Sequence, residues 1–387
     1  MRRKVALWVI ALVVAIIIIA AALGGALGAT LGNKSSNNSS SSSGNGNNGG
    51  SSNDPSAGTL ANNIGNTAQD KTGLALLHMP NSDDLYMYYM SEGNQIVEAK
   101  YSNSNWQKQN RDLPASTTNI TNDAADGSPI AAIHYTLQGN TIYRQIFFIG
   151  SNGLIATCNT TDNAAWSSPY NPVIDLKPSS TTKSLAAVAD TSSGNLYGIR
   201  VYFGSSAGYI QEIGTDFGEA EPPYWHSDWS WFNQSDPEAG VASVLINNNN
   251  HLYLRNSTTG LLQQWTWNYV TKDGWQVGAN ASNSHSVAEN GAVAALTDGQ
   301  STDMIFYQQS GGKTVMTTFS GNSFGNFVGD EKNLNSASIG YGIAAAWAGN
   351  DGGAVLNQNS SDSNELLLSS VATNGQTRNW NTNTGTD

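Results

Sequence analysis

A short, alanine-rich apolar run returns six times along this sequence: LALLHM (74–79), IAAIHY (130–135), LAAVAD (185–190), VASVLI (241–246), VAALTD (293–298) and IAAAWA (343–348). The intervals are 50 to 56 residues. Each run is followed by an aromatic or aliphatic segment, LYMYY (85–89), YRQIFF (143–148), IRVYF (199–203), HLYLR (251–255), MIFYQ (304–308) and AVLNQ (354–358). Across a Gly/Ser/Asn loop comes a third segment, NQIVE, GLIAT, GYIQE, GLLQQ, KTVMT or NELLLS, and a tryptophan closes most units: Trp106, Trp166, Trp225, Trp275 and Trp380. Six units of three or four short strands predict an all-β fold, a six-bladed β-propeller over 73–387. A two-sheet sandwich also holds many short strands, but it would not repeat six times at near-equal spacing. The alanine-rich strand suits the crowded centre, where blades converge and large side chains do not fit.

Composition agrees. Charged residues are only 12% of the chain, with 40 Gly, 11 Trp and 15 Tyr, which favours aromatic strands and turns over helices. The net charge of -12 leaves no basic stripe for a polyanion, so no nucleic-acid partner is expected. The single cysteine, Cys158, excludes an internal disulfide and is expected as a small buried apolar group. His78, His134, His226, His251 and His285 lack metal-ligand spacing, so neither a metal nor a cofactor is expected.

The N-terminus reads differently. Residues 1–4 form a basic cytoplasmic tail, and an apolar segment at 5–27 is long enough to span a bilayer as a signal anchor. A cleaved signal peptide ending near Ala26–Ala29 is the alternative. The Ser/Asn/Gly-rich tract within 28–72 reads as a disordered linker. This order predicts a single-pass protein, anchored in the membrane by its N-terminal helix, with the propeller extracellular or lumenal. Sequons at Asn33, Asn37, Asn38, Asn119, Asn159, Asn233, Asn256, Asn280 and Asn359 agree with a glycoprotein.

The hairpin GIRVYFGSSAGYIQE (198–212) carries a charge on each strand. A loop over 204–208 predicts Phe203 opposite Tyr209 and Arg200 opposite Glu212. Arg200, Tyr202, Ile210 and Glu212 then share one face. As a surface ion pair this is worth about 0–1 kcal/mol; as a strut between blades it should recur. The same 12-residue offset gives Tyr86/Glu98, Leu252/Gln264 and Leu356/Leu368, while Arg144/Thr157 and Met304/Thr317 are one residue longer. The pair is complete once in six units, so it is not what holds the repeat together.

IRVYF…GYIQE, with GWQVGA (274–279) in the next unit, resembles the fungal fucose-specific lectins of the Aleuria type. The resemblance implies a six-bladed propeller with an Arg, a Glu and a Trp around each inter-blade sugar pocket, and fucosylated glycans or glycoproteins as partners. On that match Arg200 and Glu212 bond vicinal hydroxyls, with Tyr202 on the same face. A tryptophan covers the sugar's apolar side, Trp225 being the first choice over Trp229 and Trp231. Glu98 and Arg144 are half-sites. A propeller that has lost sugar binding and serves as a surface or wall interaction module is the alternative. No enzyme is expected: the acid pairs Asp83/Asp84, Asp236/Glu238 and Asp330/Glu331 fall in loops, and TKDGW (271–275) misses the sialidase-type box. The cluster YWHSDWSW (224–231) reads as a packed blade edge or a second stacking platform.

Overall fold

The computed structural model of the chain describes residues 68–381, apart from 80–81, 83, 102–115, 138–140, 162–163, 191–197, 218–224, 281–284, 300–301, 321–322, 327–338, 348–351, 359–365 and 375–376. The expected tail and membrane anchor, nearly all of the linker, and Trp106, Asp83, Asp330, Glu331 and Asn359 lie outside the described residues. Among the described residues no helix is long and apolar enough to cross a membrane.

The chain forms an all-β propeller. Blade 1 holds β1 (Leu74–His78), β2 (Leu85–Ser91), β3 (Gln95–Tyr101) and β4 (Ser116–Thr121). The second unit forms β5 (Ile130–Leu137), β6 (Thr141–Ile149) and β7 (Ile155–Thr161). Blade 3 has β8 (Leu185–Asp190), β9 (Gly198–Gly204), β10 (Ile210–Asp216) and β11 (Trp225–Phe232). Blade 4 has β12 (Val241–Ile246), β13 (Asn249–Arg255), β14 (Leu262–Asn268) and β15 (Gln276–Asn280). In blade 5 these are β16 (Val293–Thr297), β17 (Thr302–Gln308), β18 (Thr314–Ser320) and β19 (Ser323–Asn326). Blade 6 has β20 (Ile343–Trp347), β21 (Gly353–Gln358), β22 (Leu366–Asn374) and β23 (Thr377–Asn381).

Among the described residues five sheets have four antiparallel strands and the second unit has three. Its fourth place is taken by irregular chain that meets β7 at separate points, Tyr170 pairing with Thr157 and Ser167 donating to the Asn159 carbonyl, without forming a strand. Pro169 and Pro172 flank Tyr170 and have no N–H to extend a ladder.

The innermost strands neighbour one another in a ring, β1, β5, β8, β12, β16, β20 and back to β1. Ala132, Ala187, Ala295 and Ala345 from these strands line the central channel, as their small size requires. The second strands are buried on both faces, β2 and β9 along their whole length. Each apolar cluster therefore straddles two neighbouring blades: one joins Ala186, Tyr202 and Ile210 of blade 3 to Leu252 and Leu254 of blade 4. This double burial explains why the second segments read as continuous apolar runs rather than alternating ones.

The ring closes with the same device that joins blades 5 and 6. Gln308 donates to the Tyr341 carbonyl at 3.1 Å. Likewise Gln358 donates to the Gln69 carbonyl at 2.7 Å and accepts from the Thr72 N–H at 3.1 Å. Cys158 is buried, and its thiol is pushed up to about 12 by that burial, which makes it inert as a nucleophile.

His134 on β5 gives the channel a pH dependence. Burial, then the neighbouring His78, lowers its pKa to about 4. The unfolded chain therefore binds the proton first, and stability should fall as pH drops from about 6.5 towards 4, by up to about 3 kcal/mol. Urea unfolding of the wild type at pH 7 and 4.5 should show this loss, and His134→Asn should flatten it.

Candidate functional site

The hairpin β9–β10 is offset by two residues from the sequence expectation. Glu212 faces Tyr202, and Arg200 faces Gly214. The cause is the loop: Gly204 stays in the strand opposite Ile210, so the turn runs through Ser205–Tyr209. An even offset keeps every side chain on its face, so Arg200, Tyr202 and Glu212 still lie together. Blade 1 shifts by the same two residues, Tyr88 rather than Tyr86 facing Glu98, whereas in blade 4 the shift is a single residue, Tyr253 rather than Leu252 facing Gln264, which puts Leu252 on the other face. Odd shifts also separate two other expected pairs, since Phe147 rather than Arg144 faces Thr157 and Ile305 rather than Met304 faces Thr317, while Leu356 does face Leu368.

Arg200 and Glu212 approach only to 3.9 Å. The closer acidic partner of Arg200 is Asp216, at 2.7 Å, with Asp190 at 3.9 Å. Its Nη1 also donates to the Thr215 and Ile199 carbonyls at 3.0 and 3.2 Å. The Trp229 ring lies 3.9 Å from the guanidinium carbon, a cation–π contact. A bulge in the β10–β11 pairing, between Glu212 and Gly214, delivers this tryptophan. A Cβ on Gly214 would meet the Trp229 ring at 2.2 Å and the Ile199 carbonyl at 2.7 Å, so glycine makes the seat. Gly214→Ala is expected to lose about 1–3 kcal/mol by overpacking, and tryptophan fluorescence should report the displaced ring.

Glu212 is only 4% exposed and Arg200 8%. Glu212 accepts from the Tyr202 hydroxyl at 3.3 Å and from the indole N–H of Trp275 at 3.2 Å. Burial raises its pKa above the usual glutamate range, and hydrogen bonds from Ser230, Trp275 and Tyr202, with the Arg200 charge, oppose the rise. Asn250, from blade 4, donates to the Tyr202 hydroxyl at 2.5 Å.

Trp225 is not brought to this group. It lies opposite Thr215, on the other face of blade 3, and packs edge-on against Phe147 of the second unit. Trp275 packs edge-on against Tyr202, and Trp166 against Tyr88, at similar distances of 5.9 and 6.0 Å. The tryptophan closing each of these units thus faces the preceding blade. For Glu212 the partner is Trp275, supplied by the next unit's GWQVGA.

Glu98 and Arg144 form one group rather than two half-sites. Arg144 reaches from β6 to Glu98 on β3, with Nε–Oε2 at 3.2 Å and Nη2–Oε1 at 3.5 Å. Glu98 also accepts from the Tyr88 hydroxyl at 2.9 Å, and the Arg144 guanidinium sits over Tyr86 at 4.2 Å. Between blades 4 and 5 the corresponding place holds Asp303, bonded by the Tyr253 hydroxyl and His251, both at 2.5 Å. The other described interfaces put Phe147 against Thr157, Phe306 against Met316 and Leu356 against Leu368. A tyrosine–carboxylate pair within one blade therefore occurs in blades 1 and 3 among the described residues.

No protein-family model matches the sequence, and neither does any curated protein sequence. Solved structures do match. A lectin of Aleuria aurantia in complex with Fucα1-6GlcNAc is 18% identical, with TM-score 0.59, covering 83% of this chain and 99% of that one. AofleA of Arthrobotrys oligospora is 12% identical with TM-score 0.59, covering 81% and 86%. A Burkholderia pseudomallei lectin is 15% identical with TM-score 0.58, covering 80% and 82%. Identities this low show the fold alone. Among the solved structures that this chain resembles are fucose-binding lectins of the Aleuria type, and it shares their β-propeller fold.

Proposed function

We propose that this chain is a six-bladed carbohydrate-binding propeller, with the three-stranded sheet as its second blade. It holds a fucose-like sugar between blades 3 and 4 and does no chemistry on it. Glu212 accepts from sugar hydroxyls, Arg200 donates beside it, Tyr202 orients the carboxylate, and Trp275 takes the role first expected of Trp225. One observation carries the reading: a carboxylate is kept almost wholly buried and aligned by the indole of one blade and the phenol of another. Burial opposes the ionised form, so its presence is better accounted for by a ligand than by folding. Structures of similar propellers in complex with α-methyl-L-fucoside and Fucα1-6GlcNAc support the choice of sugar.

The test is binding of the purified chain to fucosylated and unfucosylated glycans, beside Arg200→Ala and Glu212→Gln. Fucose-dependent binding that both variants retain would remove the site. Display outside a membrane, through the apolar segment at 5–27, belongs to the same proposal; external protease should then strip the propeller from intact cells.

A second reading, an interaction module that has lost sugar binding, has its own observation. The donors of Arg200 are engaged by Asp216 and two carbonyls, and Trp229 covers its face. Absence of binding to every glycan tested would select it.

A further inference from the structure

The axial channel has a chemistry unlike that of the blade junctions. It is a cup rather than an open tube. At one end stand Leu74, Ile130, Leu185, Val241, Val293 and Ile343, the first residues of the six inner strands. All six are buried, and only about 50 Å³ is left around them. Towards the other ends of these strands the channel widens to about 330 Å³.

The sequence explains the widening. Side chains alternate along a strand, so the first, third and fifth residues of each inner strand share a face. The third is small in five of the six strands: Ala132, Ala187, Ser243, Ala295 and Ala345. The fifth is His78 in β1, His134 in β5 and Trp347 in β20, and all three border the wide end. Because β20, β1 and β5 are successive in the ring, these three rings form one side of the mouth. Ala189 and Leu245, from β8 and β12, are on the other. Crowding between blades accounts for the alanines, but not for two imidazoles and an indole at a mouth where space is no longer short.

Pockets of about 300–1,000 Å³ with apolar walls and a few placed polar groups are the usual form of a small-molecule site. An apolar cavity of about 150 Å³ admits benzene, so this one has room for two fused rings. No Asp, Glu, Lys or Arg lines it among the described residues, and a charged ligand would lose its hydration with no counter-charge to meet. His134 is uncharged at pH 7, since burial and then His78 lower its pKa to about 4. A neutral imidazole has one nitrogen that donates and one that accepts, which matches a hydroxyl group. A sugar, with a hydroxyl on nearly every carbon, would leave most of them against alanine and leucine.

We infer that this cup is a binding site for a small neutral aromatic molecule carrying one hydroxyl, with its rings among the alanines and its hydroxyl at His78 and His134.

The test is titration of the full chain at pH 7, by fluorescence and calorimetry, with 2-naphthol, naphthalene and 2-naphthoate. 2-Naphthol should bind about threefold to tenfold more tightly than naphthalene, which lacks the hydroxyl. It should bind at least about tenfold more tightly than the anionic 2-naphthoate. Saturating L-fucose should displace neither neutral probe. Ala187→Leu with Ala345→Leu fills the middle of the cup and should abolish binding of both. His134→Phe keeps a ring and loses the nitrogens, so it should reduce 2-naphthol to the affinity of naphthalene. This variant needs little new space and keeps the test open should the filled chain not fold. No binding of 2-naphthol, equal binding of 2-naphthoate, displacement by L-fucose, or indifference to the filling pair or to His134→Phe would overturn the inference.

Discussion

Arg144→Met should lower the unfolding free energy by about 3 kcal/mol, and Arg144→Met with Glu98→Gln should recover most of that loss. Both partners are 8% exposed at the side chain, so removing the guanidinium strands a buried carboxylate. Breaking such a pair costs about 3–5 kcal/mol, whereas replacing both charges is near neutral. Arg144 borders the cleft between blade 1 and the second unit, where water reaches its edge, which puts the expectation at the lower end. Urea midpoints of the two single variants and the double variant give the coupling directly. Additive effects in the cycle would mean that the contact does not stabilise the junction of blade 1 with the second unit.

Glu212→Gln is expected to separate binding from stability. The carboxyl titrates above the ordinary glutamate range because it is buried. The folded state then binds its proton more readily than the unfolded one, so this group's contribution falls as pH rises through the interval between the unfolded and folded pKa values. Removing the charge should leave stability at pH 7 unchanged or higher. Binding of a fucosylated glycan should weaken about tenfold to a hundredfold, since a hydrogen bond to a charged acceptor contributes about 1.5–3 kcal/mol. In the wild type the acceptor is needed ionised, so binding should fade on acidification at a higher pH than an ordinary glutamate would give. Thermal unfolding and glycan titration from pH 4 to 7 measure both. A variant that binds normally, or one that is markedly less stable, would make Glu212 a structural group.

The two experiments concern groups that were unequally legible. Arg200, Tyr202 and Glu212 were placed on one face by counting in twos, and the two-residue error in the turn did not matter because an even slip preserves the face. Trp225 was misplaced for the complementary reason. A bulge between Glu212 and Gly214 breaks the count along β11, and parity no longer tells which side a residue takes. Trp229, the closest aromatic partner of Arg200, depends on that bulge and on the glycine that admits the ring, whereas Asp216 sits on the unbroken β9–β10 ladder. Glu98 and Arg144 looked like remnants of two separate sites because each unit was read alone.

By itself the sequence determined the ring of repeats, the small residues at the channel and the faces along each unbroken strand. These follow from periodicity, and periodicity is a local property of the chain. Tertiary structure alone decided that Arg144 meets Glu98, that Trp275 rather than Trp225 meets Glu212, and that the second unit stops at three strands. Each inter-blade site joins strands about 45 to 65 residues apart, on surfaces that exist only once neighbouring blades have packed.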